Sequence, residues 1–295
     1  MGGNKFKAYL VFTKFRLAFT VVISAVLGYI FNDGSSWLDG ILVFVGGALV
    51  TAAANGSNQI WEREVDAKMA RTQGRPLVTG QMSVKEAYIV VIVSLILGTA
   101  MLAYINVLSA VLGVISYISY VFMYTPAKLK TPWAVFIGAF PGALPPMIGA
   151  VAASGEFGLV PGVLFFVQFV WQFPHFWSIA WITHDDYAKG GFHLLPSQFG
   201  KSKNSAFQIV VYSAFLIPFS LIPWLLGWTN NFSLIAISIL GLLFYLQADR
   251  LLRSCEDKDA KRLMFWSIIY LPLIQIIYCL TRTDLPLSEV VFVGL

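Results

Sequence analysis

Residues 55–77 read N-G-S-N-Q-I-W-E-R-E-V-D-A-K-M-A-R-T-Q-G-R-P-L and lie between two long apolar runs. Only 12% of the chain is charged, yet this stretch holds three carboxylates and four cations. On a helix Asn58, Glu62 and Asp66 occupy i, i+4 and i+8, so three oxygen-bearing side chains share one face, offset by about 40° per step. Lys68, Arg71 and Arg75 follow directly. Mg²⁺ typically takes one or two protein carboxylates and fills its shell with water and substrate phosphate, and the cations suit the phosphate itself. The pattern predicts a Mg²⁺–diphosphate site. A plain loop with i, i+4 ion pairs such as Glu64–Lys68 explains less, because it gives no reason for the shared oxygen face or for Gly74 and Pro76 ending the helix just behind it.

A second acidic cluster, Asp185-Asp186, follows a later apolar run, with Lys189 four residues after Asp185. If the two clusters face each other, Glu62 and Asp66 meet Asp185 and Asp186, and carboxylates gathered in this way call for divalent cations to offset their repulsion. His175 sits in W-Q-F-P-H-F-W, the only histidine inside an apolar run. An ionisable group at membrane depth is a functional candidate; a hydrogen bond to a neighbouring helix is the plainer alternative.

The elements that must carry these groups are membrane helices. The 295 residues are 58% hydrophobic, the mean hydropathy is +0.74, and stretches of the roughly 20 residues needed to cross a bilayer recur throughout. We read an all-α polytopic membrane protein with about nine spans, at 15–31, 38–57, 86–105, 107–125, 132–152, 159–182, 206–228, 231–250 and 263–281, around a central intramembrane cavity. Residues 1–295 form one domain, with a basic flank at 1–14 and a short tail at 282–295. Lys and Arg cluster before the first span and after the second, fourth, sixth and eighth; only Arg282 falls on the other side. That places the N-terminus in the cytoplasm and the C-terminus outside. The net charge of +5 is then topology and lipid contact, which excludes the need for a nucleic-acid partner. Both acidic clusters end even-numbered spans, four spans apart, on one membrane side, an offset that suggests two related halves. The fifth span contains Gly138, Pro141, Gly142, Pro145, Pro146 and Gly149, so its regular hydrogen bonding must be interrupted, and we expect it to form a cavity wall. Cys255 and Cys279 lie at opposite membrane faces and should not pair.

A diphosphate held by Mg²⁺ and cations is a good leaving group. If its other end is an isoprenoid, departure leaves an allylic cation that aromatic faces stabilise and that water must not reach. Trp61, Tyr117, Tyr120, Tyr124, Trp171, Phe173, Phe176 and Trp177 supply such faces.

These residues carry a resemblance. N-Q-x-x-E-R-E-x-D-A-K-M-x-R-T-x-x-R-P-L at 58–77 resembles the first aspartate-rich motif of the UbiA-type intramembrane prenyltransferases, and within them the heme O synthase branch. The Y-T-x-x-x-L-K at 124–130, G-A-x-P-P at 142–146, P-H-F-W at 174–177 and D-D-Y-x-x-G-x-x-x-x-L-P at 185–196 are similar in the same order. The resemblance implies that Asn58, Glu62 and Asp66 hold Mg²⁺ from one side and Asp185 with Asp186 from the other. Asp66, Asp185 and Lys68 are the expected catalytic groups. Arg71, Arg75, Lys128, Lys130 and Lys189 are expected on the diphosphate, and His175, Trp171 and Trp177 near the acceptor. It further implies farnesyl diphosphate as donor and heme b as acceptor, with water supplying a hydroxyl, in a bacterial-type cytoplasmic membrane. A contact with heme A synthase or a terminal-oxidase assembly is a further expectation. An aromatic quinone precursor is the alternative acceptor; a transporter is the distant alternative. Glu62 stands where Asp is usual and Gln59 where Asp or Asn is common, which predicts a metal geometry displaced by a methylene. Gly191-Phe192-His193-Leu194 replaces an I-P-M-type segment.

Overall fold

The computed structural model describes residues 5–197 and 200–283. The tail expected at 282–295 therefore lies outside them from residue 284 onward. The described residues form helices and no strand, with a single isolated bridge between Thr229 and Arg282.

In chain order the helices are α1 (Lys5–Phe12), α2 (Phe15–Phe31), α3 (Trp37–Trp61), α4 (Arg63–Asp66), α5 (Val84–Ile105), α6 (Val107–Ile118), α7 (Thr125–Ala127), α8 (Ala134–Ser154), α9 (Leu159–Ile182), α10 (His184–Lys189), α11 (Lys203–Ser220), α12 (Ile222–Leu225), α13 (Asn231–Ser254) and α14 (Asp257–Leu280). A π-helical stretch, Ser119–Tyr124, joins α6 to α7. Eight of the described helical segments are long and apolar enough to cross a bilayer, and up to nine if the bent pair α1–α2, 47° apart, counts as one span. The expected nine spans hold on that count, with one shift that matters: the second span runs on to Trp61, so Asn58 is still inside it.

α2 packs against α3, α8 and α14, α8 against α9, and α9 against α11 and α14, which brings the first and last spans, α2 and α14, together. Glycine allows the closest crossing. A Cβ on Gly149 of α8 would lie 1.7 Å from the Ala25 carbonyl oxygen, and one on Gly28 of α2 would lie 2.2 Å from that of Pro146; helices approach this tightly only through small residues. At the far end Arg282 pairs with Asp33.

α8 corrects the expectation of a broken span. It runs unbroken from Ala134 to Ser154 with Pro141, Pro145 and Pro146 inside it, and 72% of its apolar window is buried, against 61% or less for the other spans. Proline removes the donor that would satisfy the carbonyl four residues back. For Pro145 that carbonyl is Pro141 O, which Ser116 Oγ approaches at 3.4 Å. For Pro146 it is Gly142 O, which accepts from Gln168 Nε2 at 2.8 Å. At these two positions neighbouring helices replace the lost bonds, so the helix passes Pro145 and Pro146 without a break.

Candidate active site

At the end of α3 the helix tightens. Glu62 closes it at φ −93°, ψ 8°, and α4 begins at once. The i, i+4 ladder nevertheless continues, with Glu62 N donating to Asn58 O at 2.9 Å and Asp66 N to Glu62 O at 2.8 Å. Asn58, Glu62 and Asp66 therefore share a face as predicted, and all three are buried, at 1%, 2% and 1% exposure.

Each has a different partner. Asn58 Nδ2 donates to Thr125 Oγ1 at 3.2 Å, and that hydroxyl donates to Tyr120 O, five residues back along the π-helical stretch, at 2.9 Å. Local π geometry of this kind is frequent at functional sites; here it turns Thr125 and Lys128 toward α3. Lys128 Nζ lies 2.5 Å from Glu62 Oε1 and stands over the rings of Tyr124 and Phe192 at 5.0 and 5.2 Å. Arg75 pairs with one oxygen of Asp66, while the other, Oδ1, is buried with no hydrogen-bond partner. Burial pushes the Asp66 carboxyl above the ordinary range, against the pull of Arg75. Burial lowers the Lys128 ammonium, against the pull of Glu62.

The second cluster meets the first, but not as a metal shell. Asp186 accepts from the backbone N–H groups of Ala70 (2.7 Å) and Arg71 (3.1 Å), with Lys189 at 3.9 Å. Desolvation pushes its carboxyl up, but the two N–H bonds, Lys189 and Arg71 outweigh it and hold the group below its usual range. Arg71 stands over Tyr187 at 5.5 Å. Asp186 thus ties the α4–α5 connection to α10. Asp185 beside it is exposed.

Of the five residues expected as one ligand set, Asn58, Glu62, Asp66 and Asp186 each have a protein partner, and Asp185 is exposed. Among the described residues no three His, Cys, Asp or Glu side chains converge on a metal position; Lys128 is ion-paired with Glu62, Arg75 with one oxygen of Asp66, and two amides bond Asp186. The donors left over still fit Mg²⁺: the unpartnered buried Asp66 Oδ1 is a hard oxygen that gains from a cation, and few protein ligands suffice when phosphate and water supply the rest. Lys68 and Lys130 are exposed, on the solvent side of their loops rather than beside the buried oxygens.

Gln59, the other departure from the family pattern, turns toward α1, its Nε2 donating to Phe12 O at 2.5 Å, and Asn55 Nδ2 donates to Thr13 O at 3.3 Å. Together with Glu86, which accepts from Lys5 (3.0 Å) and Tyr9 (2.5 Å), they dock α1 across the end of α3. The chain then turns through Lys14 in a left-handed conformation, φ 49° and ψ 49°, and the Lys14 charge interacts with those of Arg75, Lys128, Glu62 and Arg71. The sequence shows Lys14 only as one of several flanking cations; its one signal is a lone lysine between two apolar helical runs. Phe192, in the segment that departs from the family pattern, is buried against Lys128 and packs edge-on to Tyr187 at 5.7 Å.

Deeper in α9, His175 stacks on Trp171 and meets Ser267 of α14. Trp177 does not join them. It is buried against Phe173 and Tyr212 of α11, two residues and about 200° around the helix from His175.

A profile of the UbiA prenyltransferase family matches residues 17–269. The chain is 46% identical over 283 residues to the protoheme IX farnesyltransferase of Cytophaga hutchinsonii, covering 95% of this chain and 99% of the relative. It is 46% identical over 277 residues to the protein of that name from Christiangramia forsetii, covering 92% and 91%. Among solved structures, a digeranylgeranylglyceryl phosphate synthase superposes with a TM-score of 0.78 at 22% identity, over 95% of this chain and 99% of that one. A UbiA homolog from Archaeoglobus fulgidus bound to GPP and Mg²⁺ superposes at 0.69 and 19% identity, over 93% and 100%. At those identities the structures speak for the fold.

Proposed function

The chain belongs to the UbiA prenyltransferase family, and from that premise we propose that it moves a farnesyl group from farnesyl diphosphate to a vinyl group of heme b, giving heme O. The observation that carries the choice of substrates is the 46% identity to a protoheme IX farnesyltransferase along nearly the whole of both chains.

The buried face supports the chemistry. Asp66 through Oδ1 and Asn58 through its side-chain oxygen would hold Mg²⁺ from the α3 side, and exposed Asp185 from the α10 side, since Asp186 is engaged with the Ala70 and Arg71 amides. Bound there, Mg²⁺ would supply charge neutralisation for the departing diphosphate. Lys128, Arg75, Arg71 and Lys14 form the protein's cationic contribution. Of these Lys128 is buried and Arg71 exposed, so the Lys128 charge acts more strongly than one at a surface. Lys189, Lys130 and Lys68 would act at the rim, attracting the anion by field rather than by contact. Tyr120 and Tyr124, with ring centres 5.3 Å apart, offer π faces to an allylic cation next to the diphosphate position. In the same proposal the site opens to the cytoplasmic side of a bacterial inner membrane, as the distribution of Lys and Arg favours.

The test uses purified protein with farnesyl diphosphate and either heme b or 4-hydroxybenzoate, with Mg²⁺ and with chelator. Farnesylated heme of heme O mass, formed only with Mg²⁺, is the expected product. Turnover of 4-hydroxybenzoate alone would refute the assignment in favour of a quinone precursor.

A further inference from the structure

His175 lies well inside α9, about 10 Å from its cytoplasmic end at 1.5 Å per residue. Its ring stacks on the Trp171 indole, 4.5 Å between centres and 15° between planes, and Phe176 meets it edge-on at 5.5 Å. Trp171 Nε1 donates to the Ser267 carbonyl at 2.9 Å, so α14 holds the indole as well. His175 Nδ1 is 2.7 Å from Ser267 Oγ.

A serine hydroxyl has one proton, and Ser267 Oγ also lies 2.6 Å from Met264 O, one turn back along its own helix. We assign the proton to that shorter bond; the oxygen then accepts from His175, Nδ1 carries the imidazole hydrogen and Nε2 presents a bare lone pair. Nε2 makes no hydrogen bond to any described residue, and the ring is only partly buried.

A neutral imidazole that donates one N–H to a fixed acceptor and leaves the other nitrogen bare is the arrangement metal-ligating histidines use. Resting on the proposed heme acceptor, we propose that His175 Nε2 coordinates the heme iron and that Ser267 is the residue positioning it. Coordination is favoured over proton transfer by what surrounds the ring. A base would become an imidazolium, and the groups that meet the ring are Trp171, Phe176 and the Ser267 hydroxyl, none of them an anion; a cation at membrane depth without a counter-charge is costly. Coordination leaves the ring neutral. It also fixes the porphyrin by its centre, which sets where the vinyl groups lie relative to the farnesyl donor without any contact to the vinyl groups themselves.

The experiment compares ferric heme b with metal-free protoporphyrin IX, titrated into full-length protein in lipid nanodiscs. Wild type is expected to bind heme with the Soret band of a histidine-ligated iron. Ser267→Ala should weaken heme by about 10–100-fold, the usual cost of losing a metal ligand's supporting partner, and leave the metal-free porphyrin unchanged. His175→Ala should lose at least as much heme affinity, with the Soret shift restored by added imidazole. Binding of farnesyl diphosphate to each variant reports that it is folded. An unaltered Soret band and heme affinity in His175→Ala would overturn the ligation, and so would equal losses for the two porphyrins, which mark a ring contact only. Wild type that binds neither porphyrin removes the heme acceptor and the ligation together; wild type that farnesylates heme while His175→Ala keeps its spectrum removes the ligation alone.

Discussion

Replacing Lys128 by methionine keeps most of the side-chain volume and deletes the charge. The ammonium it removes lies 2.5 Å from Glu62, in a pair whose side chains are only 10% and 3% exposed. Breaking a buried pair from one side leaves an uncompensated charge and typically costs about 3–5 kcal/mol, whereas removing both partners is close to neutral. Lys128→Met should therefore destabilise the protein by about that amount, and Glu62→Gln in the same chain should recover most of it, a coupling larger than the 0.5–3 kcal/mol of ordinary contacting pairs. Because a divalent cation can take over the compensation of Glu62, added Mg²⁺ should stabilise Lys128→Met more than wild type. The assay is unfolding in mixed detergent micelles for the four members of the cycle, each with Mg²⁺ and with chelator. A single variant within about 1 kcal/mol of wild type, no more than about a third of the expected loss, or a double variant no better than the single, would refute the view that the pair is buried and mutually dependent.

Asp66→Ala should abolish turnover while the protein remains folded in membrane, checked by product formation and a cooperative thermal transition; in wild type the Mg²⁺ needed for half-maximal rate should rise as pH falls, because burial has raised the pKa of the carboxyl that must be ionised to bind it. The adjacent aspartates should separate: Asp185→Ala should lose activity with the loop intact, whereas Asp186→Ala should speed exchange of the Ala70 and Arg71 amides, read by hydrogen-exchange mass spectrometry. Since the Asp186 carboxyl is held below its usual range, its stabilisation is fully present above the unfolded pKa of about 3.9 and is lost only as pH falls through the lower folded value, so protection of those amides should be flat from neutral pH to about 5. Gly149→Ala, whose Cβ would meet the Ala25 carbonyl oxygen at 1.7 Å, should lower the expressed folded fraction sharply, measured by fluorescence-detected size exclusion, while an exposed alanine change such as Leu280→Ala should not.

Much of this protein is local in origin and could be read along the chain. Lipid demands apolar helices of roughly 20 residues, so the spans are written in hydropathy, and the i, i+4 spacing of Asn58, Glu62 and Asp66 predicts their common face whether or not the helix tightens at Glu62. The family motif adds the expectation of an isoprenoid diphosphate donor and of Mg²⁺. What the spacing does not contain is which group each side chain meets. Gln59 belongs to the same stretch as Glu62, yet it bonds Phe12, 47 residues away; Asp186 looks like a metal ligand but serves amides 115 and 116 residues away; Lys14 reads as a flank and turns into the site; and α8 keeps its helix because Gln168, 26 residues on, takes up the Gly142 carbonyl. A buried polar atom must find a partner somewhere, and in a bundle of crossing helices that partner is chosen by which faces pack together. For the same reason His175 is a bare histidine in the sequence, and only the fold shows that its Nδ1 meets the hydroxyl of Ser267, 92 residues later.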